Sequence, residues 1–217
     1  MHATLPAMDL ARVRQEYMRD GLNEKEVSPD PLVQFERWFA DAVKAALPMP
    51  NAMSLATVSR AHKPSSRMVL LKGVDQGGFV FYTNTHSRKG RDIEGNAHAA
   101  LLFGWLQLER QVCIQGALSR VSTAQADAYF ATRPLGSRHA ALASPQSDVI
   151  ASRAALEQRY HEAASTTGDT PPRPAHWGGY RLMPVEIEFW QGRENRLHDR
   201  LVYRKSAAGW TLQRLAP

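Results

Sequence analysis

From Met53 onward the sequence runs as short β-rich stretches broken by turn residues, and these do not alternate regularly with helical stretches. No other feature limits the fold as much. Met53–Ser59, Arg67–Val74 and Phe79–Thr83 follow one another, separated by Pro64 and by Asp75-Gln76-Gly77-Gly78, which predicts an antiparallel meander. Ala99–Leu106 and Arg110–Arg120 read as two more strands, and Tyr180–Phe189, Leu197–Arg204 and Trp210–Leu215 as the last three. A doubly wound parallel sheet needs strands and helices in turn. A mainly β fold, a closed or nearly closed antiparallel barrel with peripheral helices, suits the order better.

The helices mark themselves by caps. Asp30 before Pro31 opens a helix whose apolar positions Leu32, Phe35, Trp38, Phe39 and Val43 recur at helical spacing up to Leu47-Pro48. Met8–Arg19 predicts a shorter one, with Gly21 as its stop. Ser87 caps a helix from Arg88 to about Gly95, and Ser122 with Gln125 has capping-box spacing for a helix ending at Pro134. A further helix is predicted over Asp148–Ala164, with an exposed loop at Ser165–Ala175. No repeat or domain boundary is visible, so residues 1–217 read as one domain, with a helical segment over 1–47 and the barrel over 48–217.

The excess positive charge is focused. Between Arg60 and Arg91 seven basic residues face Asp75 alone, an excess of six that equals the net charge of the whole chain. A second knot of five basic residues against two acids lies between Arg193 and Lys205. Such clusters attract phosphates of any kind, on nucleic acid, anionic lipid or small ligands. Cys113 is the single cysteine, so no internal disulfide or CxxC pair is available. The start lacks the features of a signal peptide and no run of about 18 apolar residues occurs. The cytoplasm is the expected compartment, without a membrane partner.

Several mechanisms are missing their signatures: no GxGxxG after a strand, no Walker A sequence, no HExxH and no GxSxG. The eight histidines show no metal-ligand spacing, so no metal is expected. His198 and Asp199 are adjacent on a predicted strand and point to opposite faces, which disfavours a hydrolase pair. Cys113, in an apolar stretch, reads as a buried small hydrophobe.

Four constellations remain. In RMVLLK, Arg67 and Lys72 stand five apart on a predicted strand and should project from opposite faces toward different targets. In FVFYTNTHSRKG, a strand leads to Ser87-Arg88-Lys89 at a helix start, where free backbone N–H groups and the helix dipole favour an anion. In YFATRPLGS, Tyr129, Arg133 and Ser137 recur every four residues and offer donors for a second phosphate. Near the C-terminus Trp190, Arg196, His198 and Arg200 fall at even spacing, so the last three would share a strand face and crowd two guanidiniums around an imidazole.

These runs, in this order, resemble the pyridoxine (pyridoxamine) 5′-phosphate oxidase family. The resemblance extends from Arg14, Glu16 and Tyr17 through DPLVQFERW, RMVLLK, LLFGW, LERQV, the QS pair, WGGY, EFWQG and RLHDR to the terminal RLAP. It implies an FMN-binding split β-barrel working as a homodimer, with flavin in clefts at the subunit interface. By motif, Arg67, Met68, Val69, Leu70, Leu71 and Lys72 would line the flavin. Tyr82, Thr83, Arg88 and Lys89 would hold its phosphate, and Gln111, Gln146, Ser147, Trp190 and Arg200 would complete the cofactor site. Lys72, Tyr129, Arg133 and Ser137 would take the phosphate of a small pyridine substrate, and Arg14 and Tyr17 would cover it. Arg196 and His198 would meet the pyridine end as the candidate catalytic pair. The implied reaction oxidises the phosphorylated alcohol or amine to pyridoxal 5′-phosphate with molecular oxygen. The stretch RHAALASP after Ser137 and Arg193 within EFWQGRENR depart from the family pattern.

Two rivals predict different residues. Another flavin or deazaflavin protein of this barrel type would keep SRK but has no need of Tyr129, Arg133, Ser137 and RLHDR together. A nucleic-acid-binding barrel would need exposed aromatics among the basic residues, whereas two of Phe79, Phe81 and Tyr82 alternate onto a core face.

Overall fold

The computed structural model describes residues 21–217, so the predicted helix at Met8–Arg19, with Arg14 and Tyr17, lies outside the described residues. Among the described residues nine strands make one sheet that curls into a half-barrel: β1 (Ala52–Val58), β2 (Pro64–Leu70), β3 (Gly73–Asp75), β4 (Gly78–Asn84), β5 (His98–Trp105), β6 (Arg110–Arg120), β7 (Trp177–Gln191), β8 (Asp199–Ser206) and β9 (Gly209–Leu215). Among the described residues five α-helices lie around it: α1 (Pro31–Lys44), α2 (Arg88–Gly95), α3 (Thr123–Ala131), α4 (Leu135–Ala143) and α5 (Arg153–Thr167). The mainly β architecture with peripheral helices is the one expected.

The strand order is β2-β1-β5-β6-β7-β4-β3, with β8 joining β7 and β9 beyond it. The predicted meander of the first strands is therefore wrong: β2 and β3 lie at opposite ends of that path, and among β1 to β4 the pairing is confined to β1/β2 and β3/β4. The forking element is β7, which is long enough to serve two partners on one edge. Residues 177–182 pair with β4 and residues 186–191 with β8, while β6 runs along the other edge. Pro184, with no N–H to offer, sits between the two halves, opposite a register shift at Gln115/Gly116. Gly116 is required there, because a Cβ would lie 2.0 Å from the Met183 carbonyl oxygen.

Helix α1 closes the core. Asp30 caps it, its Oδ1 accepting from the Leu32 amide at 2.8 Å. Phe35 is 1% exposed and meets Phe79 and Phe103 edge-on, with centroids 4.9 and 5.0 Å away, and Trp38 meets Phe189 at 5.2 Å. The predicted stripe needs one change, since Val43 is 54% exposed and Ala42 takes the inner position.

Other boundaries move for local reasons. Pro64 opens β2 instead of separating strands, and β2 stops at Leu70. Pro134 ends α3 but also leads into α4, a helix the sequence did not announce. The next helix starts at Arg153 instead of Asp148, capped by Ser152, which accepts from the Ala155 amide, and it runs on to Thr167. Residues 194–196 form a 3₁₀ turn before β8. Cys113 lies half-buried, on the face of β6 opposite core residues Val112 and Ile114, and is not a core residue.

Candidate active site

The β4–α2 turn builds the first half of the site. Ser87 caps α2 through its side chain, accepting from the Gly90 amide. Gly90 allows the chain to fold back, since a Cβ there would lie 1.9 Å from the Thr85 carbonyl oxygen. Lys89 then reaches across the turn, its Nζ donating to Gln146 Oε1 at 2.9 Å, Thr83 Oγ1 at 3.2 Å and Ser87 Oγ at 3.3 Å. All three acceptors are neutral, and among the described residues no carboxylate pairs with it. Burial, followed by repulsion from Arg67, pushes its pKa down to about 8.

Arg67 stands on β2 beside it. Its guanidinium donates to the Leu55 carbonyl at 3.1 Å, Thr57 Oγ1 at 2.7 Å and Ser65 Oγ at 2.6 Å, with Asp92 at 3.7 Å. Because β2 ends at Leu70, strand alternation does not extend to Lys72. Arg67 and Lys72 line the same cleft, against the expectation of separate targets.

The α3–α4 corner builds the second half. Arg133 lies over the rings of Trp177 (4.7 Å) and Phe130 (5.5 Å), and its Nη1 is buried with no hydrogen-bond partner among the described residues. Burial lowers its pKa, and no acid among the described residues pairs with it. Tyr129 stacks on Tyr82 at 4.0 Å and Tyr82 on Trp177 at 5.4 Å. Ser137 falls in the first turn of α4, so the four-residue spacing of Tyr129, Arg133 and Ser137 bridges two helices instead of following one.

Both halves face one cleft of about 530 Å³. Of the expected residues it brings together Arg67, Met68, Val69, Leu70, Lys72, Tyr82, Thr83, Lys89, Tyr129, Arg133, Ser137 and Gln146. Leu71 does not line it; at 7% exposure its side chain packs in the core. Arg88 and Ser147 are exposed and line no part of it; Ser147 has a φ of 75°. Sequence reading gave no role to Asn84, Thr132, Pro134, Ser144 and Trp177, which also line the cleft. Trp177 sits in the WGGY run, and an arginine as desolvated as Arg133 calls for an aromatic face.

The remaining candidates form a second cluster, which does not line this cleft within one chain. Gln111, Trp190 and Arg200 stand side by side across β6, β7 and β8. The His198 ring lies 4.6 Å from that of Trp190, and the Arg193 amide donates to His198 Nδ1 at 3.1 Å. Arg196, His198 and Arg200 do not share a strand face: β8 begins at Asp199, and Arg196 ends the 3₁₀ turn with a φ of 61°. Arg200 is engaged with Glu188 through two hydrogen bonds, at 2.8 and 3.0 Å. The Asp199 carboxylate is engaged with Arg214 and the Leu22 amide.

Two family descriptions match this chain: pyridoxamine 5′-phosphate oxidase over residues 39–167, and the pyridoxine 5′-phosphate oxidase C-terminal dimerisation region over residues 177–217. The chain is 57% identical over 211 residues to the pyridoxine/pyridoxamine 5′-phosphate oxidase of Burkholderia vietnamiensis, covering 96% of this chain and 99% of the relative. It is 56% identical over 209 residues, with the same coverage, to the protein of that name from Cupriavidus taiwanensis. Among solved structures it is similar to PhzG from Burkholderia lata in complex with tetrahydrophenazine-1-carboxylic acid, with a TM-score of 0.86 and 32% identity over 91% of this chain and 98% of that one. A pyridoxamine 5′-phosphate oxidase-related, FMN-binding protein from Nostoc punctiforme shares the fold, with a TM-score of 0.69 at 19% identity over 88% of this chain and 100% of that one. No helix among the described residues is long and apolar enough to cross a membrane.

Proposed function

The chain belongs to the pyridoxamine 5′-phosphate oxidase family of split β-barrels, and from that membership we propose that it oxidises pyridoxine 5′-phosphate and pyridoxamine 5′-phosphate to pyridoxal 5′-phosphate. FMN is the cofactor in this reading; bound, it supplies the acceptor for a hydride from the substrate's exocyclic carbon, and molecular oxygen takes the two electrons to give hydrogen peroxide. The alcohol gives the aldehyde directly, while the amine also consumes water and releases ammonia.

One observation carries the reading: a single cleft gathers two separate sets of phosphate donors, each with a desolvated cation that no described acid neutralises. The first set fits the phosphate of FMN. Lys89 and Arg67 offer positive charge and donors, and the helix start at Ser87 adds its dipole. The second set fits the substrate phosphate. Arg133 has a buried N–H group still to be satisfied, and Tyr129, Ser137 and Lys72 line the same cleft. Anchoring the phosphate supplies binding energy away from the reacting carbon and fixes the ring face that is presented.

The cluster of Gln111, Trp190, Arg196, His198 and Arg200 joins the cleft across a homodimer in this reading. The match of residues 177–217 to a dimerisation region supports that arrangement. Arg196 then lies at the pyridine end of the substrate, where a cation stabilises developing negative charge. His198 meets the same end through Nε2, and Arg14 and Tyr17 cover the substrate. The enzyme works in the cytoplasm.

Oxygen uptake and peroxide release test the proposal. Pyridoxine 5′-phosphate and pyridoxamine 5′-phosphate should each drive both, and unphosphorylated pyridoxine should drive neither. Equal turnover with and without the phosphate would contradict the assignment of Arg133, Tyr129 and Ser137.

A further inference from the structure

We propose that Asp92 is the positioning residue of the first phosphate site, acting on Arg67 through the hydroxyls of Thr57 and Ser65. The inference rests on reading that site as the holder of the FMN phosphate.

Asp92 lies on α2, three residues after Lys89, and is only 6% exposed. Its Oδ2 accepts from Thr57 Oγ1 at 2.8 Å and from Ser65 Oγ at 2.9 Å. An ionised carboxylate only accepts, so each hydroxyl spends its single proton on Asp92. Both oxygens then present lone pairs, and Arg67 uses them: Nη1 donates to Thr57 at 2.7 Å and Nη2 to Ser65 at 2.6 Å. The two hydroxyl oxygens are 3.2 Å apart, farther than either lies from Asp92, so they do not compete for each other's proton. The Leu55 carbonyl takes another N–H of Nη1. The guanidinium is thus held along one edge by groups whose proton directions a single carboxylate sets.

Charge points the same way. Arg67 and Lys89 repel, which contributes to the lowered pKa of Lys89. A carboxylate 3.7 Å from Arg67 offsets part of that repulsion while remaining behind two hydroxyls. Asp92 thereby lets two cations share the site and fixes one of them without occupying the position of a ligand phosphate.

The test compares FMN with riboflavin, which lacks the phosphate, by quenching of flavin fluorescence on the full chain stripped of flavin. The unaltered protein should bind FMN far more tightly than riboflavin. Asp92→Asn removes the charge that offsets the repulsion between Arg67 and Lys89, and it replaces the carboxylate that holds both hydroxyl protons with a weaker, neutral acceptor. FMN binding should weaken by at least about tenfold, with riboflavin binding changed by less than about twofold. Ser65→Ala, at a partly exposed position, should weaken FMN selectively as well, and Asp92→Asn should add less on that background than alone. FMN affinity that survives either substitution, or equal loss of both flavins, would overturn the positioning role. If the unaltered protein does not distinguish FMN from riboflavin, the phosphate-site reading itself fails.

Discussion

The backbone amide of Arg193 donates to Nδ1 of His198 across 3.1 Å, which leaves Nε2 as the protonated nitrogen of the neutral ring. Burial, and then the charge of Arg196, holds the ring pKa below its usual 6.5. Protonating Nδ1 would also break the bond to Arg193. His198 is therefore a neutral donor at Nε2 near pH 7, and the departure to Arg193 leaves this intact because the bond comes from the backbone. Nitrogen-15 NMR of the ring should show the Nε2–H tautomer at pH 7 and titration only below pH 6.5. A ring that charges above pH 6.5 would contradict this.

Lys89 should make phosphate binding depend on pH. Its pKa in the folded chain is about 8, so the cation is present at pH 7 and lost as pH rises through 8. A bound phosphate favours the charged form, so binding must weaken above pH 8. The dissociation constant for FMN should rise about fivefold between pH 8 and pH 9 if that charge is needed. Lys89→Met should bind more weakly at pH 7 and show little change over the same interval.

Arg133 is built for a ligand and not for the stability of the free chain. Among the described residues its buried Nη1 has no partner, and its charge lies over the aromatic faces of Trp177 and Phe130. Arg133→Met should leave the flavin-free protein as stable as before, or more stable by up to about 1 kcal/mol. Inorganic phosphate should raise the melting temperature of the unaltered protein by more than that of the variant. A large loss of stability in Arg133→Met would make the residue structural.

Phe35 sets the opposite case. It is buried among Phe79, Phe103 and Trp105, so Phe35→Ala should cost about 3–5 kcal/mol in chemical denaturation. A loss below 1 kcal/mol would mean that α1 does not anchor the barrel.

Local signals were legible where one residue decides them. Asp30, Ser87 and Ser122 each cap the helix they announced, and the charge between Arg60 and Arg91 does supply Arg67, Lys72 and Lys89 to the cleft. Strand order was not legible, because β7 gains three neighbours through length and a proline that alternation does not reveal. Periodicity failed at Lys72 and at Arg196 because each lies just outside its strand. The α4 helix was hidden because Pro134 reads only as a stop. Motif resemblance named Arg133 and Lys89, but only packing showed them as desolvated cations, and Asp92 carried no signal because its partners come from β1 and β2.

Anaerobic addition of pyridoxine 5′-phosphate to the flavin-loaded protein tests the central claim most directly. The account requires the yellow absorbance of the bound flavin to bleach with one equivalent of substrate per site, and to return when oxygen is admitted. A flavin that stays oxidised under pyridoxine 5′-phosphate and pyridoxamine 5′-phosphate alike would contradict it.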